Sequence, residues 1–108
     1  MDINYIILAH KNPEQIKRLV RRLSDFNVFF YIHIDKSVDI IPFINQFENF
    51  ENVFFIENHK RQNGTWGDIG IVKATINAIK KIILDSRKGY IVLLSGQDYP
   101  IQSNDNIF

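Results

Sequence analysis

A chain of 108 residues, 45% hydrophobic and 13% aromatic, can bury one modest core and forms one domain at most. Its formal charge of +1 creates no field that would gather nucleic acid or an anionic membrane, so neither partner is implied. The absence of cysteine excludes disulfides, thiolate catalysis and Cys-ligated metals, and fits a reducing compartment. Asp2 and Asn4 interrupt the opening residues and the apolar stretch from Ile6 to Ala9 is far too short to span a bilayer. A cytoplasmic protein is therefore the expectation.

Ile3 and then Tyr5 to Ala9 form a continuous apolar run, as a strand covered on both faces requires. Asn12 offers a side-chain cap, Pro13 suits a first helical position and Gln15 stands three residues after the cap, so a capping box should open a helix. Ile16, Leu19, Val20 and Leu23 make its apolar stripe, and Lys17, Arg18, Arg21 and Arg22 line the solvated side. Val28 to Ile34 is β-branched and aromatic and predicts a second strand. A weaker helix is expected over 40–47 and a short strand over 53–56. Asn58 to Gly67 is the longest irregular stretch and a candidate functional loop. From Asp68 a helix carries Ile69, Val72, Ile76, Ile79 and Ile83 at alternating intervals of three and four, with Arg87, Lys88 and Gly89 closing it. Tyr90 to Leu94 then predicts a fourth strand, and the β-α-β-α-β-α-β order argues for a parallel sheet with helices on both faces. Ser103 to Phe108 has the pattern of a helix start without an apolar stripe, which suggests a fragment of a larger protein.

In an open parallel sheet, ligands bind beyond the carboxyl ends of the strands, near the point where strand order reverses. That rule selects His10-Lys11-Asn12, Asp35-Lys36, Glu57 to Gly67 and Ser95 to Asp98. The segment Leu93-Leu94-Ser95-Gly96-Gln97-Asp98-Tyr99-Pro100 stands out, because packing explains the apolar strand but not the small polar cluster that follows it. An ordinary strand-ending turn is the competing explanation. No G-x-G-x-x-G follows the first strand and no G-x-x-x-x-G-K-S/T occurs, which argues against a dinucleotide dehydrogenase or a P-loop enzyme. His10, His33 and His59 lack metal-ligand spacing, and Ser95-Gly96 lacks the form of a nucleophile elbow. Trp66 is either a helix-entry anchor or a platform for a sugar or base, and Lys60 and Arg61 either neutralise a phosphate or solvate their loop.

Four segments together resemble the amino-terminal half of the core-2/I-branching N-acetylglucosaminyltransferase family, which includes peptide O-xylosyltransferases. They are Tyr5-Ile6-Ile7-Leu8-Ala9-His10-Lys11-Asn12-Pro13-Glu14-Gln15, Tyr31-Ile32-His33-Ile34-Asp35-Lys36-Ser37, Thr65-Trp66-Gly67, and Leu93 to Ile101. The resemblance implies a Rossmann-like GT-A nucleotide-binding half, with residues 1–108 as one nucleotide-sugar-binding domain or subdomain. It also implies inverting transfer of GlcNAc or xylose from a UDP-sugar donor to a glycan or other hydroxyl acceptor. Carried over by position, Asp35 would contact the uracil end, with His10, Lys11 and Lys36 beside it. Ser95, Gly96 and Asp98 would lie near the sugar-diphosphate, and Arg61 and Trp66 would border the cleft between donor and acceptor. Asp68 and Gly70 depart from the Gly and Ser that relatives often carry after the Trp-Gly pair.

Such a transfer needs a carboxylate base and positive charge on the departing diphosphate. No Asp-x-Asp occurs in the chain, and the branching enzymes it resembles use basic side chains instead, so no cofactor and no metal are expected. The resemblance puts the catalytic glutamate and the diphosphate-binding residues in the half that this chain lacks, leaving a donor-binding fragment inactive alone. A non-catalytic Rossmann-like binding or remnant module is the alternative.

Overall fold

The structure is a computed structural model that describes residues 2–56 and 68–95, with side chains described over 2–56 and 72–94. Seven elements follow in the order expected: β1 (Ile3–Ala9), α1 (Pro13–Leu23), β2 (Val28–Ile34), α2 (Ile41–Gln46), β3 (Val53–Phe55), α3 (Asp68–Leu84) and β4 (Tyr90–Ser95). The strands form one parallel sheet in the order β3-β2-β1-β4. The Rossmann-like α/β expectation therefore holds for the described residues. The helix start expected at 103–108 and the irregular stretch after β3 lie outside them.

Strand pleating divides β1 and β2 between two cores. Tyr5, Ile7 and Ala9 of β1 join Val28, Phe30, Ile32 and Ile34 of β2 beneath α1 and α2. Ile6 and Tyr31 turn the other way, with Ala78 and Ile82 of α3. Because both faces are covered, these strands read as unbroken apolar runs instead of alternating ones. Aromatic pairs tighten each layer: the Tyr5 and Phe30 rings stack at 5.4 Å on one side, and Tyr31 and Phe54 at 5.1 Å on the other.

Three local expectations are corrected. Asn12 adopts a left-handed conformation (φ 55°, ψ 64°) and its side chain does not cap α1; its Nδ2 donates instead to Gln15 Oε1 at 3.3 Å. The helix is opened by its backbone carbonyl, which accepts from the amides of Gln15 and Ile16, so no capping box forms. On α3, the face against the sheet is Ala74, Ala78 and Ile82, whereas Val72, Ile76 and Ile83 are 52%, 44% and 66% exposed. Small alanines let the helix approach a layer already filled by aromatic rings; of the expected stripe Ile79 packs against this core, while Val72, Ile76 and Ile83 are turned outward. Finally, α3 is terminated by Ser86 and not Gly89. Ser86 has φ 60°, its amide bonds the Ile83 carbonyl, and the Arg87 amide bonds that of Ile82, a Schellman closure with serine in the left-handed position.

Gly89 serves the next junction. At φ 108° it lies so close to the start of β1 that an added Cβ would sit 2.0 Å from the Asp2 carbonyl oxygen. Buried Asn4 secures the same corner by donating from Nδ2 to the carbonyls of Lys88 (3.3 Å) and Tyr90 (3.2 Å). Beside it, the fully buried Tyr31 hydroxyl donates to Asp85 Oδ2 at 2.8 Å and accepts from Arg87 Nε at 3.2 Å. The Arg87 guanidinium covers the Phe29 ring at 3.9 Å, so this basic residue is a lid on the α3 core.

Gly89→Ala should cost about 2–4 kcal/mol in urea unfolding, because both the positive φ and the contact with backbone oppose the methyl. Ser86→Gly should gain about 1 kcal/mol by relieving a left-handed serine. Burial pushes the Tyr31 phenol up from 10.0 to about 12, outweighing the lowering by Arg87. The protonated phenol is thus the form the fold prefers, so its stabilisation is complete below pH 10 and is lost as pH rises from about 10 through about 12. Tyr31→Phe should flatten that part of a stability profile measured against pH.

Candidate functional site

The strand order defines the place where a ligand is expected. The chain proceeds from β1 outward through β2 to β3, then returns to the opposite side of β1 as β4, so direction reverses between β1 and β4. At that point loops from neighbouring strands diverge and leave a crevice beyond the carboxyl ends. In register, Ala9 pairs with Ile34 and Leu8 with Ser95, which brings three strand ends level. His10 and Lys11 leave β1, Asp35 and Lys36 leave β2, and Ser95 ends β4, on strands about 4.8 Å apart.

Asp35 is the most constrained of these. Its amide donates to the Ala9 carbonyl at 3.0 Å, extending the β1–β2 contact one step past the strands. Its Oδ1 accepts from the Ser37 amide and the Ser37 hydroxyl, each at 2.8 Å, while the Val38 amide bonds its carbonyl at 3.1 Å. The side chain is only 3% exposed. A carboxylate held by its own loop has its position set before any ligand arrives, and the charge is stabilised by donors that cost no separate ordering. By contrast His10, Lys11 and Lys36 are exposed and stand around it as groups that could meet a ligand from the solvent side.

The sheet thus unites His10, Lys11, Asp35, Lys36 and Ser95 at one edge. Arg61, Trp66, Gly96 and Asp98 lie outside the described residues. The role of Ser37 was not anticipated, although an aspartate followed two residues later by serine is the signal for such a turn. His33, weighed from sequence only as a metal ligand, is fully buried, and its position faces the α3 side of β2, opposite Leu8 in register. Together with Asn4 and Asp35 it completes the buried polar side chains among the described residues. No group of three potential metal-ligating side chains occurs among those residues, and no helix there is long and apolar enough to cross a membrane.

The model of the family described as Core-2/I-Branching enzyme matches residues 3–108. The chain belongs to this family. Among curated relatives, it is 29% identical over 106 residues to the zebrafish (Danio rerio) beta-1,3-galactosyl-O-glycosyl-glycoprotein beta-1,6-N-acetylglucosaminyltransferase 4, covering 94% of this chain and 24% of the relative. It is 22% identical over 113 residues to xylosyltransferase 1 of Rattus norvegicus, with 97% of this chain and 13% of that protein covered. For xylosyltransferase 2 of Mus musculus the identity is 26% over 110 residues, covering 97% and 12%. The chain therefore spans about a quarter or less of the length of these branching-family relatives.

In this branching-family chain, the aspartate turn gives the first test of the site. Ser37→Ala should cost roughly 1–2 kcal/mol in urea unfolding, through loss of one hydrogen bond to a charged acceptor. Lys36→Ala, at an exposed position, should stay within about 0.5 kcal/mol of the parent.

Proposed function

We propose that this chain is the donor-binding part of a branching-type glycosyltransferase, with a UDP-sugar as donor and a glycan or other hydroxyl compound as acceptor. The observation that carries the proposal is buried Asp35, fixed by Ser37 at the carboxyl edge, one strand from the β1/β4 reversal. A carboxylate already oriented by its own turn suits a neutral hydrogen-bonding edge such as that of uracil or a ribose diol. His10, Lys11 and Lys36 would flank the nucleotide, and Ser95, Gly96 and Asp98 would approach the sugar-diphosphate. Arg61 and Trp66 would border the cleft toward the acceptor.

Transfer would be inverting and would move GlcNAc or xylose. Metal-independent leaving-group stabilisation fits a sequence without Asp-x-Asp, the diphosphate then being neutralised by basic side chains. No residue of this chain is assigned as the catalytic base. The chain alone is accordingly a binder and not a catalyst, its chemistry depending on a glutamate and basic residues outside this sequence.

Titration of the isotope-labelled chain with UDP, and separately with UDP-GlcNAc and UDP-xylose, should move the amide resonances of His10, Lys11, Asp35 and Lys36 in a saturable way. Asp35→Asn should weaken that binding by about tenfold or more, as expected for loss of a charged hydrogen-bonding partner. Silence up to millimolar nucleotide, with the chain folded, would overturn the proposal and leave a non-catalytic α/β module.

A further inference from the structure

The helical layer formed by α1 and α2 separates its charges into two stripes. Within α1, Lys17, Arg18, Arg21 and Arg22 stand against a single acid, Glu14. From Ser37 to Ile56 the balance is reversed, with Asp39, Glu48 and Glu51 present and no Lys, Arg or His. A chain whose formal charge is only +1 thus carries a basic helix beside an acidic helix and turn. Its near neutrality is a sum over two opposed surfaces.

Packing fixes the stripes side by side. Ile16, Leu19 and Val20 hold α1, and Phe43 and Phe47 hold the α2 segment, on one face of the sheet in a single core. Each helix leaves the end of one parallel strand and returns to the start of the next, so both run from the carboxyl edge toward the amino edge. Asn52 joins their far ends by donating from Nδ2 to the Val28 carbonyl at 3.1 Å and to Ser24 Oγ at 3.5 Å. The turn carrying Glu48 and Glu51 is therefore level with the last turns of α1. Arg18, Arg21, Glu48 and Glu51 are all exposed, and a groove between the helices has Arg18 on one wall and Pro42 and Gln46 on the other. Ile41 and Ile44 of α2 are 54% and 37% exposed, which adds an apolar patch to the acidic stripe.

A surface divided in this way is complementary to itself. Two copies can face each other about a two-fold axis in two ways. An axis across the helices stacks α1 on α1 and brings Arg18 and Arg21 against the same cations. An axis along the helices stacks α1 of each copy on α2 of the other and keeps every residue at its level, so Arg18 and Arg21 meet Glu48 and Glu51 in both halves of the contact. Ile41 and Ile44 then pack on the aliphatic stems of the α1 side chains. A foreign partner of one charge would satisfy only one stripe. We infer that this face pairs two copies of the chain in a symmetric dimer, α1 of each against α2 of the other. The contact uses none of His10, Asp35 or Ser95 and needs no nucleotide, so it goes beyond the donor proposal and is tested apart from it.

Sedimentation of the full chain without nucleotide should show a monomer–dimer equilibrium at about 0.01 M salt that weakens about tenfold or more at about 1 M, as the screening length falls from about 30 Å to about 3 Å. This series uses the unaltered chain and does not depend on how any variant folds. Arg18→Glu with Arg21→Glu, and separately Glu48→Lys with Glu51→Lys, should each keep native circular dichroism and remain monomeric. Mixing the two variant chains should restore the dimer, because one half of the contact then carries both reversals and the other half carries neither. Leu93→Lys, on exposed β4, should leave the equilibrium unchanged. A chain that stays monomeric up to about 1 mM at low salt would overturn the inference. So would a dimer that strengthens with salt or is lost in Leu93→Lys, or a mixture of the reversed chains that stays monomeric.

Discussion

Everything in this structure depends on β1 being hydrogen-bonded along both edges and covered on both faces. Its seven residues pair with β2 on one side, six pair with β4 on the other, and the pleat sends alternate side chains into two cores. A strand in that position can carry almost no polar side chain, and the exception, Asn4, is bound to the carbonyls flanking Gly89. Because β1 is fixed in this way, the level at which His10 leaves the sheet is fixed too. The register then sets Asp35 and Ser95 beside it. The candidate site is a consequence of strand pairing, with loop chemistry added afterward.

That division explains what could be read from the sequence. The strands and the order of elements were legible because buried parallel strands impose long apolar runs, and α1 because one face must be apolar at helical spacing. The meeting of three strand ends at one edge was legible from topology, and the presence of Asp35 there from its place after β2. Details governed by competition between nearby groups were not. Asn12 has the composition of a cap, yet its backbone enters the left-handed region and its side chain bonds Gln15. Glycine is the usual helix terminator, but Gly89 is required where chain meets chain at Asp2, and Ser86 takes the left-handed role.

The outward stripe on α3 shows a different limit. Periodicity reports that a helix has an apolar side but not which side meets the sheet. Here Ala74, Ala78 and Ile82 are the buried residues of α3, against the layer that contains Phe29, Tyr31 and Phe54. Val72, Ile76 and Ile83 lie at the surface instead. Likewise, the requirement for Ser37 to hold Asp35 is written in two residues, too short a pattern to distinguish from an ordinary turn until the burial of the carboxylate is known.

The two edges of the sheet differ in chemical character. At one end β3 has three half-buried residues, a length that offers little backbone for another strand to pair with. At the other end β4 presents six residues without a charge, and Ile91 and Leu93 are 44% and 48% exposed. Among the described residues, then, β4 is the longer and more exposed outer strand and β3 the shorter one. Since strand reversal also lies on the β4 side, the more apolar flank of the sheet is the one nearest the reversal point.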